Sequence, residues 1–363
     1  MLFVGLLLAC NRQTPPVQTE PAGAFSGRPK NIILVIGDGF ALSQLSAMIY
    51  ENNNTSCLES FPVVGLHKAT AADNLITDSA AGATAFACGC KTYNAAIGVN
   101  VDTIPCKTIL EQAESRGMAT GLIATSPITH ATPAAFFAHQ PLRVMNEAIA
   151  ADLLNTEIDL LIAGGQRYFS RRKDDKNLLN PLKKKGYDLY SYFDVDLLSI
   201  RTLNRNRNFA YFSADNQPLS AISGRKYLPH AVHLSLPYLK NRSDVGFFVM
   251  IEGSQIDWAG HAKDGPMMIE ELIDFEESLK EVVKFAKRDR ETLVIVTGDH
   301  ETGGTTILPE SKFKRVKLAF STNGHTAALV PVFAYGPKAE VFRGIYDNTQ
   351  IYYKMVEALG WKE

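Results

Sequence analysis

Residues 292–300 read TLVIVTGDH, a run of β-branched and aliphatic side chains that closes on a glycine, a carboxylate and an imidazole. A continuous apolar run of this length, stopped by Gly298, predicts a strand buried on both faces. Five further segments follow the same plan: NIILVIGDG (31–39), ATGLIATS (119–126), IDLLIAGG (158–165), GFFVMIEG (246–253) and LVPVFAYGP (329–337). Helical patterns lie between them. KTILEQAESRG (107–117) is ended by Gly117, and in 266–289 Met268, Leu272, Phe275, Leu279 and Val282 recur at helical spacing. Strands alternating with helices predict an α/β fold, a three-layer sandwich with a mostly parallel central sheet flanked by helices.

A chain of 363 residues that is 46% apolar can bury a large core as one domain, or as one domain carrying an insertion. The formal net charge of −1 gives no whole-chain attraction to nucleic acid or to an anionic membrane, so anion binding has to be local. Over about 166–230 the strand–helix rhythm breaks, and RYFSRRKDDK, PLKKKGYDLY and TLNRNRNFAYF bring basic and aromatic residues without strong periodicity. Acids interrupt the charge and no nucleic-acid motif accompanies it, so the segment is expected to be an inserted lid or crown-like cover over the mouth of the sheet. The main domain is expected to span 30–363, with no nucleic-acid partner.

Residues 1–10, MLFVGLLLAC, are too short to span a bilayer but suit the apolar part of a secretory signal. LLAC resembles a lipoprotein cleavage box, which would make Cys10 the lipidated first residue and the Pro-rich 11–29 a tether. An ordinary signal or a buried apolar terminus is the alternative, and the usual basic residues before the run are missing. The expected location is the periplasm, free or membrane-anchored, with secretion as the alternative. Cys57, Cys88, Cys90 and Cys106 remain, an even number that allows one or two disulfides. For Cys88 and Cys90 the alternative is small, buried, reduced thiols.

The polar residues fall where such a sheet places its binding crevice, at the C-terminal ends of the strands. Asp38 follows LVIG, Ser126 and Thr132 follow GLIAT, Glu252 follows FFVMI, and Asp299 and His300 follow LVIVTG. Asp257 and His261 are spaced i, i+4, which on a helix puts both on one face, able to grip one ion. His325, in the turn STNGH, offers a third ligand. Ser79 opens SAAGATAFACG, a stretch expected to be helical. At a helix N-terminus its hydroxyl would face unpaired amides and the positive end of the dipole, a setting for an oxyanion, although plain capping also explains a serine there. For His67 and His230 a structural role is expected.

From NIILVIGDG to NGHTAALVPVFAYGP the chain resembles the bacterial alkaline phosphatases. The resemblance implies a phosphomonoesterase acting through a phosphoserine, with Ser79 of TDSAAGATAF as nucleophile. It implies a first zinc held by Asp257, His261 and His325, and a second held by Asp38, Asp299 and His300. Asp38 would be shared with a magnesium site that includes Thr132 of HATPAAF and Glu252, all oxygen donors of the kind magnesium prefers. Arg143 of FFAHQPLR occupies the place of the phosphate-binding arginine, a fork that can grip two phosphate oxygens at once. A homodimer is implied as well.

Two positions depart from the enterobacterial pattern. His130 stands where that pattern has an aspartate near magnesium, and Trp258 where it has a lysine that reaches phosphate through water. An imidazole would shift the metal preference of the third site, and loss of the ammonium would weaken retention of phosphate. The chain is also short for the family, which implies that larger accessory domains are absent. A sulfatase is disfavoured, because Ser79 is followed by AAGA and not by x-P-x-R. A phosphodiesterase is disfavoured by Arg143, which needs a second free phosphate oxygen. A catalytically silent binding protein would have no use for Ser79.

Overall fold

Asn31–Gly37 is buried at every residue, and its successive side chains enter two different cores. Ile32, Leu34 and Ile36 pack into one apolar cluster, while Ile33 and Phe40 with Val35 pack into a second. Alternation along a strand sends neighbouring residues to opposite faces, so a strand of this kind must be covered on both. A computed structural model describes residues 25–362; Cys10 and the tether over 11–24 lie outside them.

In chain order the strands are β1 (Asn31–Gly37), β2 (Val63–Lys68), β3 (Ala119–Pro127), β4 (Leu160–Gly164), β5 (Tyr187–Ser191), β6 (Asn208–Phe212), β7 (Phe247–Gly253) and β8 (Thr292–Gly298). Four short strands follow, β9 (Glu301–Thr302), β10 (Thr305–Ile307), β11 (Leu318–Phe320) and β12 (His325–Thr326), and then β13 (Val330–Tyr335) and β14 (Gly344–Asp347). Ten of these form one sheet in the order β14-β2-β13-β8-β1-β7-β3-β4-β6-β5. Only β13 runs against the rest, pairing antiparallel with both β8 and β2. The sheet is therefore mixed but mostly parallel, as the apolar runs predict.

Helices cover both faces. Ser79–Cys88, Ile109–Ser115, Asn146–Asp152 and Gln350–Leu359 contribute to one core; Leu42–Glu51, Tyr227–Lys240, Gln255–Ala262 and Gly265–Asp289 contribute to the other. The long helix buries Met268, Leu272, Phe275, Leu279 and Val282, the stripe read from the sequence. Its start is capped by Asp264, whose side chain accepts from the Met267 amide, with proline in the first turn.

The segment 166–230 is not set apart from the sheet as a cover. It supplies β5 and β6, which extend the sheet beyond β4 in parallel. Most of its basic residues lie on exposed positions around apolar ones, while Arg225 is buried in ion pairs with Glu271 and Asp274, so no single period survives in the sequence. Its return passes the mouth: the carbonyls of Pro218 and Leu219 accept hydrogen bonds from Gln255, at the start of the helix Gln255–Ala262. Cys90 and Cys106 form a disulfide, while Cys88 is a buried thiol and Cys57 a partly buried one.

Candidate active site

The register of the three central strands lines up the metal-type donors. Gly37 pairs with Gly253 on one side and with Gly298 on the other, so Asp38, Glu252 and Asp299 leave the sheet at nearly one level. The turn that follows β1 can fold down over the end of β8 only because Gly298 has no side chain; a Cβ there would stand 2.1 Å from the Phe40 carbonyl oxygen. Gly39 turns the chain away with φ at +75°, and its amide donates to Asp299 Oδ1 at 3.1 Å. The His300 amide donates to the same oxygen at 3.0 Å. Asp299 is thus fixed through Oδ1, and Oδ2 faces the site.

Ser79 is the first residue of the buried helix Ser79–Cys88, but it does not cap it. Asp78 does, accepting from the Ala81 amide at 2.9 Å. The ordinary reason for a serine at this place is therefore already met by its neighbour. The Ser79 hydroxyl lies 3.4 Å from His300 Nε2. The other oxygen of Asp78 receives the Ala95 amide and Nη1 of Arg143, each at 3.0 Å. Asp78 therefore ties the arginine to the helix that carries the serine, and the Arg143 side chain keeps a quarter of its surface exposed at the mouth.

Three groups of potential ligands converge: Asp257 with His261 and His325, Asp38 with Asp299 and His300, and Asp38 with Glu252 and His130. Zinc–ligand bonds of about 2.0–2.1 Å in a tetrahedron separate neighbouring donor atoms by about 3.3 Å. In the first group Nε2 of His261 lies 3.3 Å from Asp257 Oδ1 and 3.1 Å from His325 Nε2, with His325 Nε2 at 3.4 Å from Asp257 Oδ1. In the second, His300 Nε2 is 3.5 Å from Asp38 Oδ1 and 3.3 Å from Asp299 Oδ2. All three edges of the first group, and the two of the second that run from His300, have the length of a zinc tetrahedron's edge.

The surroundings also select the right histidine tautomer. Nδ1 of His261 donates to the Asn323 carbonyl at 2.6 Å, and Nδ1 of His325 to the Thr77 carbonyl at 2.8 Å. Thr302 donates to Asp257 Oδ1 at 2.5 Å, so its oxygen accepts from Nδ1 of His300 at 3.2 Å. Each ring thereby turns its Nε2 inward, the nitrogen left to ligate a metal once any proton on it is displaced, as the orienting bonds of metal-binding imidazoles require.

Glu252 is held through Oε2 by the hydroxyls of Ser254 at 2.6 Å and Ser126 at 3.1 Å. Its Oε1, both oxygens of Asp38 and Oδ2 of Asp299 are buried without a hydrogen-bond partner. Buried polar atoms are nearly always satisfied, and four carboxylate oxygens aimed at one space call for cations. Burial, then repulsion from Asp299, Asp257 and Glu252, pushes Asp38 well above the usual carboxylate range. Burial likewise drives Glu252 and Asp299 up to about 7. Asp257 behaves oppositely: burial raises it, but hydrogen bonds from His261 and His325 hold it well below the usual range. That hydrogen bond lifts His261 to about 9.

The two departures from the enterobacterial pattern touch each other. The rings of His130 and Trp258 meet edge to face, 5.7 Å apart, and His130 Nε2 lies 3.3 Å from Nη2 of Arg143. Burial, and then the neighbouring guanidinium, lowers His130 to about 3, so it is neutral. Thr132 is buried beside Glu252. His67 and His230 are bonded to the carbonyls of Gly298 and Ile200, the structural roles expected of them. Sequence reasoning did not find Asp78 or Thr302. Each lies in or beside a strand-end or serine motif, but its partner is distant in sequence: Arg143 for Asp78, and Asp257 on the helix Gln255–Ala262 for Thr302.

A family model described as alkaline phosphatase matches residues 29–319 and 311–361. Alkaline phosphatase 3 of Bacillus subtilis is 34% identical over 419 aligned residues, covering 91% of this chain and 89% of the relative. Alkaline phosphatase of Escherichia coli is 29% identical, covering 93% and 88%. Among solved structures, alkaline phosphatase from the Antarctic bacterium TAB5 superposes with a TM-score of 0.86 at 43% identity, covering 93% of this chain and 99% of that one. A histidine-to-aspartate variant of the TAB5 enzyme, with magnesium bound in its M3 site, superposes at 0.85 with 42% identity and the same coverage. Fold and relatives together define a phosphomonoesterase, a hydrolase of a metal-dependent kind. The chain belongs to the alkaline phosphatase family.

Proposed function

We propose that phosphate monoesters are hydrolysed here through a phosphoseryl intermediate on Ser79, in a site that takes two zinc ions and one magnesium ion. The observation that carries this reading is the convergence of three donor groups, two of them sharing Asp38, beside a buried serine hydroxyl that caps nothing. Asp257, His261 and His325 would hold the first zinc; Asp38, Asp299 and His300 the second; Asp38, Thr132 and Glu252 the magnesium, with His130 at its edge. The magnesium in the TAB5 variant supports a third cation. When bound, such ions supply Lewis acidity, lowering the pKa of a hydroxyl or water and neutralising charge on a leaving oxygen.

The chain's own groups do the rest. Ser79 Oγ forms a bond to phosphorus as the bond to the alcohol oxygen breaks; water then forms the new P–O bond as the Ser79 ester breaks, and the serine recovers its proton. Arg143, oriented by Asp78, grips two non-bridging oxygens and so favours a monoester, which keeps a third free oxygen for the cations where a diester has only two. The amides at the start of the helix Ser79–Cys88 add positive potential there.

Phosphate release from an aryl monoester and its matched diester, before and after chelation and after zinc with magnesium is restored, tests the reading. Monoester turnover that vanishes on chelation and returns with metal is expected. A diester preference, or no turnover with metals bound, would overturn it. The proposal extends to a homodimer and to the periplasm, free or anchored at Cys10. The disulfide Cys90–Cys106 supports an oxidising compartment. Sedimentation of the purified chain and fractionation of cells with and without Cys10→Ala check these points.

A further inference from the structure

Glu301 follows His300 directly and is buried, yet it belongs to none of the donor groups. Its carboxylate accepts four hydrogen bonds, all from neutral donors. Oε1 receives Gln44 Nε2 at 2.9 Å and the Thr305 amide at 3.0 Å; Oε2 receives the Gly304 amide at 3.1 Å and the Thr326 hydroxyl at 2.5 Å. Gln44 belongs to the helix that begins just after Asp38, and it also donates to the Thr302 carbonyl at 3.0 Å. Thr326 is the residue after His325, and β12 pairs with β9 through His325 and Thr302. One carboxylate therefore joins the three segments that follow Asp38, His300 and His325.

We infer that Glu301 is a positioning residue that sets the spacing of the two zinc-type donor groups by locking these segments together. The inference rests on the two-zinc reading above. His325 sits on a strand of two residues, held to the His300 segment by its short ladder with β9 and by stacking of the two rings 3.5 Å apart. The bond to Thr326 adds a side-chain tie across that short ladder, and the bond to Gln44 extends the lock to the loop that carries Asp38. The same knot holds Thr302, whose hydroxyl orients both Asp257 and His300.

The chemistry makes the lock sensitive to a single atom. Glu301→Gln turns one acceptor oxygen into a donor. On the Oε1 side that amide meets Gln44 Nε2 and the Thr305 amide; on the Oε2 side it meets the Gly304 amide, which cannot turn round. Thr326→Val removes one bond and keeps the shape, and Thr326→Ser restores the hydroxyl.

The test is zinc retention by the full chain, read by competition with a chromogenic chelator, together with the electronic spectrum after cobalt substitution. Glu301→Gln is expected to weaken zinc binding about tenfold or more, the usual effect of losing a group that orients metal ligands, and to alter the cobalt spectrum. Thr326→Val should weaken binding in the same direction and Thr326→Ser should recover it, so this pair carries the test if Glu301→Gln does not fold. Wild-type zinc retention in both Glu301→Gln and Thr326→Val, whatever their melting temperatures, would overturn the inference. A wild-type chain that binds no zinc would instead overturn the two-zinc reading, and this inference with it.

Discussion

The two zinc-type groups share a serine's neighbourhood but not an environment. Asp38, Asp299 and His300 have fully buried side chains, whereas the His261 side chain in the other group is 43% exposed. In the buried group carboxylates outnumber imidazoles and repel one another. In the rim group two imidazoles share one carboxylate and stabilise it. The buried group is an anionic cage that needs a cation to settle; the rim group is already balanced by its own protons, which a metal must displace.

The difference should show first in single substitutions. Asp299→Asn removes a charge from the buried cage, and kcat/KM should fall about a thousandfold, equivalent to roughly 4 kcal/mol of transition-state stabilisation. His261→Gln at the rim should cost about tenfold in kcat at saturating zinc, with the larger loss in zinc affinity. Steady-state kinetics over a zinc titration separates the two, and equal losses at both positions would remove the contrast.

Melting of the metal-stripped chain against pH sharpens the contrast. Raised carboxyl pKa values mean that the folded state holds protons the unfolded chain releases, so stability falls as pH rises from about 4 to about 7 through Glu252 and Asp299. His261, raised to about 9, contributes stability that is complete below its ordinary 6.5 and is lost as pH rises through about 9. Asp257, depressed, has the opposite sign, its contribution fading only as pH falls below the ordinary carboxylate range. Both declines should disappear in the metal-loaded chain, and zinc affinity at the rim should weaken as pH drops below about 9. A flat melting profile for the stripped protein would contradict the assignment.

Thr302→Val takes away the hydroxyl shared by Asp257 and His300, and zinc affinity should drop about tenfold, with Thr302→Ser recovering it. The smallest effect is expected of Trp258→Lys, which places an ammonium beside His130 and Arg143. Inhibition by phosphate product should strengthen a few-fold, about 1 kcal/mol or less for a partly exposed charge. Unchanged inhibition would show that this position does not govern phosphate retention.

Much of the site could be read from the sequence because its donors sit within a residue or two of the strand ends that carry them. Asp38, Glu252, Asp299 and His300 are marked by the apolar runs before them, and Asp257 with His261 by helical spacing. The central strands were readable for the same reason, being buried on both faces and uniformly apolar. β5 and β6 were not: β5 exposes part of its surface, including Tyr190, so its pattern is mixed and its neighbours are basic loops. Asp78, Thr302 and Glu301 were invisible as supports because their partners, Arg143, Asp257 and Gln44, come from segments that meet only in three dimensions. The pairing of Cys90 with Cys106 was hidden likewise, since spacing does not choose among cysteines.

The most direct measurement of the central claim is an acid quench of the metal-loaded chain during turnover of a radiolabelled phosphate monoester, followed by mapping of the labelled peptide. Label confined to the peptide containing Ser79, and lost in Ser79→Ala along with turnover, is the predicted result. Turnover without any labelled peptide, or label at another residue, would contradict the account.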